Sequence, residues 1–336
     1  MHLRRLILAA VPAVVACGAW GCGTDPGRPR NSRIVIAMMP KLMNIDYFDA
    51  CKRGAEKAAA DIGVDLIYDG PSEATGEGQN QFLETWIRQK VSAICIAPNQ
   101  PRSVKRFVER AKAAGIKVLT WDTDAADSGR DLMVNQIDDK TLGEALADEL
   151  ARQMGGKGKW AIAIGSLDAT NLNTWRRHAE ARVKGKYPDL ELVATEHTRE
   201  DENFARERVA VLLNAHPTLG GIIAFDSSSV PGAAEAIARA GKAGKVALVG
   251  NSTPGKMRKY VKEGVCECFY LWDPRALGAL TVRLARELVE GRTPRPGDEI
   301  AGHGKLVFSG DDPRMVILSN PIRFTKDNVD LYDFGI

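Results

Sequence analysis

The sequence predicts an α/β protein made of two doubly wound lobes, each a parallel sheet with helices on both faces. From residue 33 onward, apolar runs of strand length alternate with stretches of helical spacing. Strands separated by helices form βαβ units, whose right-handed crossovers give parallel sheets. The alternation runs twice along the chain, and a length of 336 residues suits two lobes because most single cores are smaller.

The N-terminus has a different composition from the rest of the chain. Residues 1–5 are basic, and residues 6–16 are apolar but too few to span a bilayer as a stable anchor. This pattern predicts an export signal peptide over residues 1–16. Residues 17–32, rich in Gly, Pro and Arg, then predict a flexible tether.

Two cysteines near this leader bear on how the protein is held at a membrane. A small residue precedes both Cys17 and Cys22, and both stretches resemble the lipobox of bacterial lipoproteins. Cys17 is the preferred acylation site because Trp20 is bulky for the enzyme groove at the Cys22 site. We expect a location in the periplasm or at the outer face of the cytoplasmic membrane, with a lipid anchor. An ordinary cleaved signal with incidental cysteines is the alternative.

The first half of the chain contains the elements of one lobe. Apolar runs predict strands at residues 34–39, 64–68 and 93–97, in the run that follows Gly115, and at 132–136. Helical spacing predicts helices at residues 48–61, 78–89 and 102–114.

The second half repeats this order. Helices are predicted at residues 141–154, 174–184, 203–214, 231–240, 254–263 and 274–290. Strands are predicted at residues 160–164, 190–195, 221–225, 246–250 and 265–272, with another apolar run at 316–318 in a tail rich in Pro and Gly.

Polar and aromatic residues recur where the predicted strands end. In doubly wound sheets, ligands bind beyond the carboxyl ends of the strands. The candidate ligand-binding residues are Lys41, Asn44, Tyr47, Phe48, Trp121, Asp122, Asp124, Asn135, Gln136, Asn171, Asn173, Trp175, Phe225, Asp226, Asn251, Trp272 and Asp273. Carboxylates and amides bond hydroxyl groups, and aromatic faces cover the C–H side of a sugar ring, so the set predicts a cleft for a polyol. The alternative is that these residues only form turns and helix caps.

Composition and motifs argue against other classes of function. A net charge of +3 with 26% charged residues gives no basic surface for nucleic acid. The five histidines lack metal-ligand spacing, and the chain has no nucleophile elbow, phosphate loop or dinucleotide fingerprint. We therefore expect no enzyme activity, no metal and no cofactor. A transcriptional regulator of this fold would need a helix-turn-helix ahead of residue 33, where the leader lies.

Several motifs taken in order resemble one family. They are Pro-Lys-Leu at 40–42, Tyr-Asp-Gly-Pro at 68–71, Thr-Trp-Asp-Thr-Asp at 120–124, Asn-Gln at 135–136, Val-Gly-Asn-Ser-Thr-Pro at 249–254, Leu-Trp-Asp at 271–273 and Phe-Thr-Lys-Asp-Asn-Val-Asp at 324–330. Together they resemble the class I periplasmic substrate-binding proteins of ABC transporters, in the branch of the autoinducer-2 and rhamnose binders. The resemblance covers the whole mature chain.

The resemblance implies a fold and a partner. It implies two lobes of the periplasmic binding protein type I, joined by a three-segment hinge with crossings near Asn135, near Asp273 and after Gly291. The expected lobes are residues 33–134 plus 274–295 and residues 135–273 plus 296–336. They would close on a small sugar or polyol and deliver it, as a monomer, to an ABC permease in the membrane.

The resemblance also assigns site residues. The family's ligand-contacting lysine falls on Lys41, its strand-end aspartate on Asp122 or Asp124, and its aromatic pair on Tyr47 and Phe48.

Two departures from the pattern bear on the ligand. Where autoinducer-2 binders have an Asp-Gln pair this chain has Asn171-Leu172, and where they have Pro-Asp-Ala it has Phe225-Asp226-Ser227. These changes favour a monosaccharide or sugar alcohol, because a buried site discriminates by the hydroxyls that it bonds. An autoinducer-2-type or sugar-sensing receptor module, signalling to a membrane partner, is the alternative.

Overall fold

A computed structural model describes residues 33–334, which form two parallel sheets with helices packed on them. The expected signal peptide, tether and acylated cysteine lie outside these residues. In the first half the elements are β1 (Val35–Met39), α1 (Asp46–Ile62), β2 (Asp65–Tyr68), α2 (Gly76–Gln89), β3 (Ala93–Ile96), α3 (Pro101–Ala113), β4 (Lys117–Trp121) and β5 (Leu132–Asn135).

The second half begins with α4 and continues to the last strand of the tail. Its elements are α4 (Asp139–Met154), β6 (Gly158–Ile164), α5 (Thr170–Lys186), β7 (Leu190–His197), α6 (Glu202–Ala215), β8 (Leu219–Phe225), α7 (Ser229–Arg239), β9 (Ala247–Gly250), α8 (Pro254–Lys262), β10 (Cys268–Leu271), α9 (Pro274–Val289), β11 (Glu299–Ile300), β12 (Gly304–Lys305), β13 (Val307–Phe308), β14 (Met315–Ile317) and β15 (Ile322–Thr325).

The first sheet has seven strands in the order β13-β14-β5-β4-β3-β1-β2. All neighbouring pairs are parallel except β13 with β14. The expected boundary placed residues 296–336 in the second lobe, but β13 and β14 pair within this sheet, so residues 307–317 belong with the first lobe. The reason is that β14 extends the sheet beside β5, an edge that the first half of the chain leaves unpaired.

The second sheet has four parallel strands in the order β7-β6-β8-β9. The antiparallel pair β10–β15 lies beside β9 through a bridge between Asn251 and Tyr270. The chain therefore passes between the two sheets three times: after β5, after β10 and after β14. The predicted α/β fold of two doubly wound parallel sheets is confirmed.

Helix ends follow local sequence signals. The side chains of Thr75, Asp138 and Asp201 each accept a hydrogen bond from a backbone N–H three residues later, which satisfies a donor that a helix start leaves free. Pro274 begins α9, where its missing N–H costs nothing. None of the helices in residues 33–334 combines the length and apolar character that crossing a membrane requires.

Candidate functional site

A cavity lies between the carboxyl ends of the strands of the two sheets. It is lined by Lys41, Ile45, Tyr47, Phe48, Asp122, Asn171, Leu172, Trp175, Glu200, Asp226, Ser227, Asn251, Leu271 and Trp272. Its volume is about 30 Å³, which holds a few water molecules at most. A larger open cavity of about 1020 Å³ lies at the opposite, amino-terminal ends of the second sheet's strands. Because ligands of doubly wound sheets bind at carboxyl ends, the first cavity is the candidate site.

Nine of the residues expected from the sequence line this cavity: Lys41, Tyr47, Phe48, Asp122, Asn171, Trp175, Asp226, Asn251 and Trp272. They come from both sheets, although up to 231 positions separate them in the chain (Lys41 to Trp272). The carboxyl ends of the strands bring them together.

Lys41 joins the two halves of the cavity. Its Nζ lies 3.1 Å from Oε1 of Glu200, and both side chains are buried. Lys41 follows β1 of the first sheet, whereas Glu200 follows β7 of the second, so the ion pair crosses the cleft. Burial lowers the pKa of Lys41, but the carboxylates around it, Glu200 first, more than offset that effect and the pKa is raised. The amine therefore stays charged.

Glu200 was not predicted from the sequence. It lies in the turn after β7, where both Arg199 and Glu200 adopt left-handed backbone conformations, with φ of 62° and 54°. Such values are uncommon outside glycine, and they turn the glutamate side chain into the cavity.

Asp122 directly follows β4, and a chain of hydrogen bonds holds its side chain. Its φ is 62°. The hydroxyl of Tyr47 donates to Oδ1 over 2.8 Å, and the indole of Trp272 donates to that hydroxyl over 3.0 Å. Burial raises the pKa of Asp122 to about 6, an effect that nearby Lys41 partly opposes. Oδ1 is thus fixed in the cavity wall.

Asp226 occupies the same position in the second sheet, at the end of β8. Its φ is 123°, a strained value for a residue with a side chain. Oδ1 accepts hydrogen bonds from the N–H groups of Ser228 and Ser229, at 3.0 and 2.8 Å, and Oδ2 accepts one from the Ser229 hydroxyl. Burial, reinforced by Glu200, raises the pKa of Asp226 to about 7.

Aromatic rings form the rest of the wall. Trp272 packs edge-on against Tyr47 at 6.0 Å and tilted against Trp175 at 5.8 Å. The indole of Trp175 donates to Asp139 over 2.7 Å, which fixes its plane. Rings that are locked in this way offer an apolar face to a ligand beside the carboxylates.

Eight expected residues do not line the cavity: Asn44, Trp121, Asp124, Asn135, Gln136, Asn173, Phe225 and Asp273. Trp121 is a second layer behind it, where its indole donates to the carbonyl of Met39 over 3.1 Å. Asp124 binds Arg130 through both oxygens, at 2.6 and 2.7 Å.

The other six expected residues that do not line the cavity differ in their burial and in their hydrogen bonds. Asn173 bonds backbone carbonyls at the start of α5, and Asp273 accepts from the N–H of Arg275 at the start of α9. Phe225 is buried in the core. Asn44 is exposed, and the amide atoms of buried Gln136 have no hydrogen-bond partner within residues 33–334.

Asn135 lines a neighbouring cavity. This cavity measures about 160 Å³ and also borders Asp122, Asp124 and Asn171. It therefore lies directly behind the wall of the candidate site.

The arrangement suits binding rather than reaction. Within residues 33–334 no group of three or more His, Cys, Asp or Glu side chains is arranged to hold a metal. What converges is a set of hydrogen-bonding carboxylates and amides beside aromatic faces, which is the chemistry of a site for a hydroxyl-rich molecule.

Comparison with known proteins agrees with this geometry. Residues 36–293 match the family described as "Periplasmic binding protein domain". The D-allose-binding periplasmic protein of Escherichia coli is 25% identical over 281 residues, which covers 81% of this chain and 90% of that protein.

Two solved structures are also similar. LsrB from Clostridium saccharobutylicum in complex with AI-2 is 27% identical with a TM-score of 0.84, covering 90% of this chain and 100% of that one. An ABC transporter solute binding protein from Clostridium phytofermentas with bound L-rhamnose is 26% identical with a TM-score of 0.83, covering 90% and 99%.

Proposed function

The chain belongs to the periplasmic binding protein family, and from that premise we propose that it captures a monosaccharide or related small polyol between two closing lobes for an ABC importer. As a member of a family of periplasmic binding proteins it is exported and is not an enzyme. The observation that carries the proposal is the convergence of Asp122, Asn171, Asp226 and Asn251 with two indoles in one buried cavity. Relatives that bind D-allose, ribose and L-rhamnose support it.

Ligand entry requires the lobes to separate. The cavity of about 30 Å³ is far below the 300 Å³ or more of typical small-molecule pockets, so a sugar fits only when the walls move apart. The three chain crossings are the segments about which such a hinge motion turns. Contacts made by the ligand to both lobes then favour the closed state.

A binding screen tests the proposal. Protein stripped of ligand by unfolding and refolding is titrated calorimetrically with D-ribose, D-allose, L-rhamnose, D-arabinose, xylitol and AI-2. We expect at least one sugar or polyol to bind with micromolar or tighter affinity. Folded protein that binds none of them would contradict the proposal. Binding of AI-2 alone would favour the alternative of a signal-sensing receptor module.

The expected lipid anchor is a separate part of the proposal. We infer that Cys17 is acylated and that the mature protein works as a monomer beside its permease. Cys17→Ser should release the protein from the membrane fraction, whereas Cys22→Ser should leave it there. The opposite result would move the anchor to Cys22.

A further inference from the structure

The cavity contains an excess of negative charge. Four of the side chains that line it are acidic or basic. They are one cation, Lys41, and three carboxylates, Asp122, Glu200 and Asp226. Each is at most 6% exposed. Among the described residues that line the cavity there is no second cation. Lys41 neutralises one carboxylate of the three.

The contacts show which carboxylates remain. The ammonium of Lys41 lies against Glu200 and makes no hydrogen bond to Asp122 or Asp226 within the described residues. Asp226 accepts hydrogen bonds from neutral donors of Ser228 and Ser229. Asp122 accepts one from the neutral hydroxyl of Tyr47. Two buried carboxylates thus make no hydrogen bond to a cation within the described residues, and the charge of Lys41 only partly offsets the cost of burying Asp122.

We propose that Glu200 sets the charge class of the ligand, so that the cavity prefers polyols carrying an amine, accepts neutral ones less well and excludes sugar acids. The inference rests on the proposed function and deepens it. A ligand ammonium would lie among Asp122, Asp226 and Glu200 and supply the missing positive charge. A ligand carboxylate would add a fourth negative group to a buried site, which is repulsive.

Glu200 controls this charge balance because it pairs with Lys41, the one cation among the described residues that line the cavity. With a neutral group in its place, Lys41 would be free to meet an anionic ligand. Glutamine keeps the length and shape of the side chain and removes only its charge. Glu202, two residues on, is a matched control because it is more exposed, pairs with Lys256 and does not line the cavity.

The test uses matched compounds at pH 7. The probes are D-glucose, D-glucosamine and D-glucuronate, the corresponding galacto and manno sets, and the open-chain set sorbitol, 1-amino-1-deoxysorbitol and gluconate, each titrated calorimetrically into the full-length protein. We expect the amine of a binding set to bind at least tenfold more tightly than the neutral member, and the acid to bind weakest. In Glu200→Gln the ratio of the dissociation constant of the acid to that of the amine should shrink at least tenfold. In Glu202→Gln this ratio should stay as in the wild type.

The outcomes distinguish a failure of the charge inference from a failure of the proposed sugar-binding function. An acid that binds as well as the neutral member, or an amine that binds no better, overturns the charge inference while sugar binding stands. An unchanged ratio in folded Glu200→Gln overturns the role of Glu200. If no compound in any set binds, and the earlier sugar screen is also negative, the proposed function itself fails. The wild-type titrations decide the charge class even if the Glu200 variant does not fold.

Discussion

Asp122 and Asp124 are two positions apart and have different surroundings. The left-handed backbone at Asp122 turns its carboxylate into the cavity, where Tyr47 bonds one oxygen. Asp124 does not line that cavity and makes a two-point ion pair with Arg130, a side chain with no exposed surface. One acid therefore lines the candidate site, and the other is part of a buried ion pair beside it.

Substitution by asparagine should mainly lower ligand affinity at Asp122 and mainly lower stability at Asp124. Asp122→Asn removes a charged acceptor of ligand hydroxyls, so the affinity should fall about 10-fold to 150-fold, from the roughly 1.5–3 kcal/mol of a charged hydrogen bond. Asp124→Asn breaks a buried ion pair, so the free energy of unfolding should fall by about 3 kcal/mol. Calorimetric titration and urea unfolding of both variants measure this. Equal losses of affinity in the two variants would contradict the assignment.

Stability should depend on pH through Asp226. Burial raises the pKa of Asp226 to about 7 and that of Asp122 to about 6. Between about pH 5 and 7 these two carboxyl groups therefore bind more protons in the folded protein than in the unfolded chain, and their contribution makes the free energy of unfolding fall as the pH rises. Asp148 and Glu149, whose pKa is lowered to about 2, contribute their stability fully above about pH 5 and do not oppose this trend.

Replacing Asp226 measures its contribution to the pH dependence of the free energy of unfolding. Asp226→Asn should flatten the decline between pH 5 and 8 by an amount on the order of a few kcal/mol. Urea unfolding of the ligand-free protein at pH 5, 6, 7 and 8 measures it. A variant whose decline matches that of the wild type would show that Asp226 does not titrate in this range.

At the scale of residues, the sequence predicts where site residues gather but not which way each one points. Trp121 and Asp122 are adjacent, yet alternation along a strand sends the indole to the core and leaves the carboxylate at the strand end. Glu200 lies in a polar turn with Arg199 and Asp201, and no sequence pattern distinguishes the one that faces inward. Backbone conformation selects it.

Among the elements, α1 and α9 pack with their backbones nearly touching. A Cβ added at Gly278 would lie 2.0 Å from the carbonyl oxygen of Cys51, and one at Gly54 would lie 1.9 Å from the carbonyl oxygen of Arg275. Each helix thus has a glycine where the other's backbone passes. This contact holds α9, which follows the second crossing, on the first sheet.

Glycine is required at this contact for space, not for backbone freedom. Gly278→Ala should lower the free energy of unfolding by about 1–3 kcal/mol or more, because backbone atoms cannot move aside as a flexible side chain can. Gly185→Ala is the control: this helical glycine in α5 has nothing within 4 Å of an added Cβ, so alanine there should stabilise by up to about 1 kcal/mol. Thermal or urea unfolding compares them, and a neutral Gly278→Ala would show that the helices shift apart easily.

The long periodic elements were predictable, and the short ones were not. The apolar runs and helical spacing predict all nine helices found in residues 33–334, although several begin two to four residues earlier than expected, as α5 does at Thr170. The two-residue strands of the tail, such as Val307–Phe308, have no periodicity of their own. They exist because a sheet edge is available to pair with, which a local pattern cannot reveal.

For the whole molecule, the site depends on contacts that cross between the sheets. Besides the Lys41–Glu200 pair, the hydroxyls of Thr123 and Thr170 lie 3.0 Å apart. Thr123 follows β4 in the first sheet and Thr170 begins α5 beside the second. The sequence predicts both sheets, but the distance between them follows from these contacts, which join residues 47 or more positions apart.

The two sheets also differ in how the chain builds them. The strands β6 to β9 come from one continuous stretch, residues 158–250, whereas the first sheet needs β14 from residues 315–317 beside β5. Pairings between distant residues form slowly because loop closure costs entropy. In pulse-labelled hydrogen exchange during refolding from urea, amides of β6 and β8 should be protected before those of β14. Simultaneous protection would indicate a single cooperative unit.

The late position of β14 in the chain also affects folding during synthesis, because the first sheet is then completed after the second. The segment that leaves the ribosome first is completed last, since the open edge of β5 waits for a strand made some 180 residues later. Throughout that interval an unpaired edge is available to other nascent chains. A holding chaperone would therefore be needed most by the half that emerges earliest.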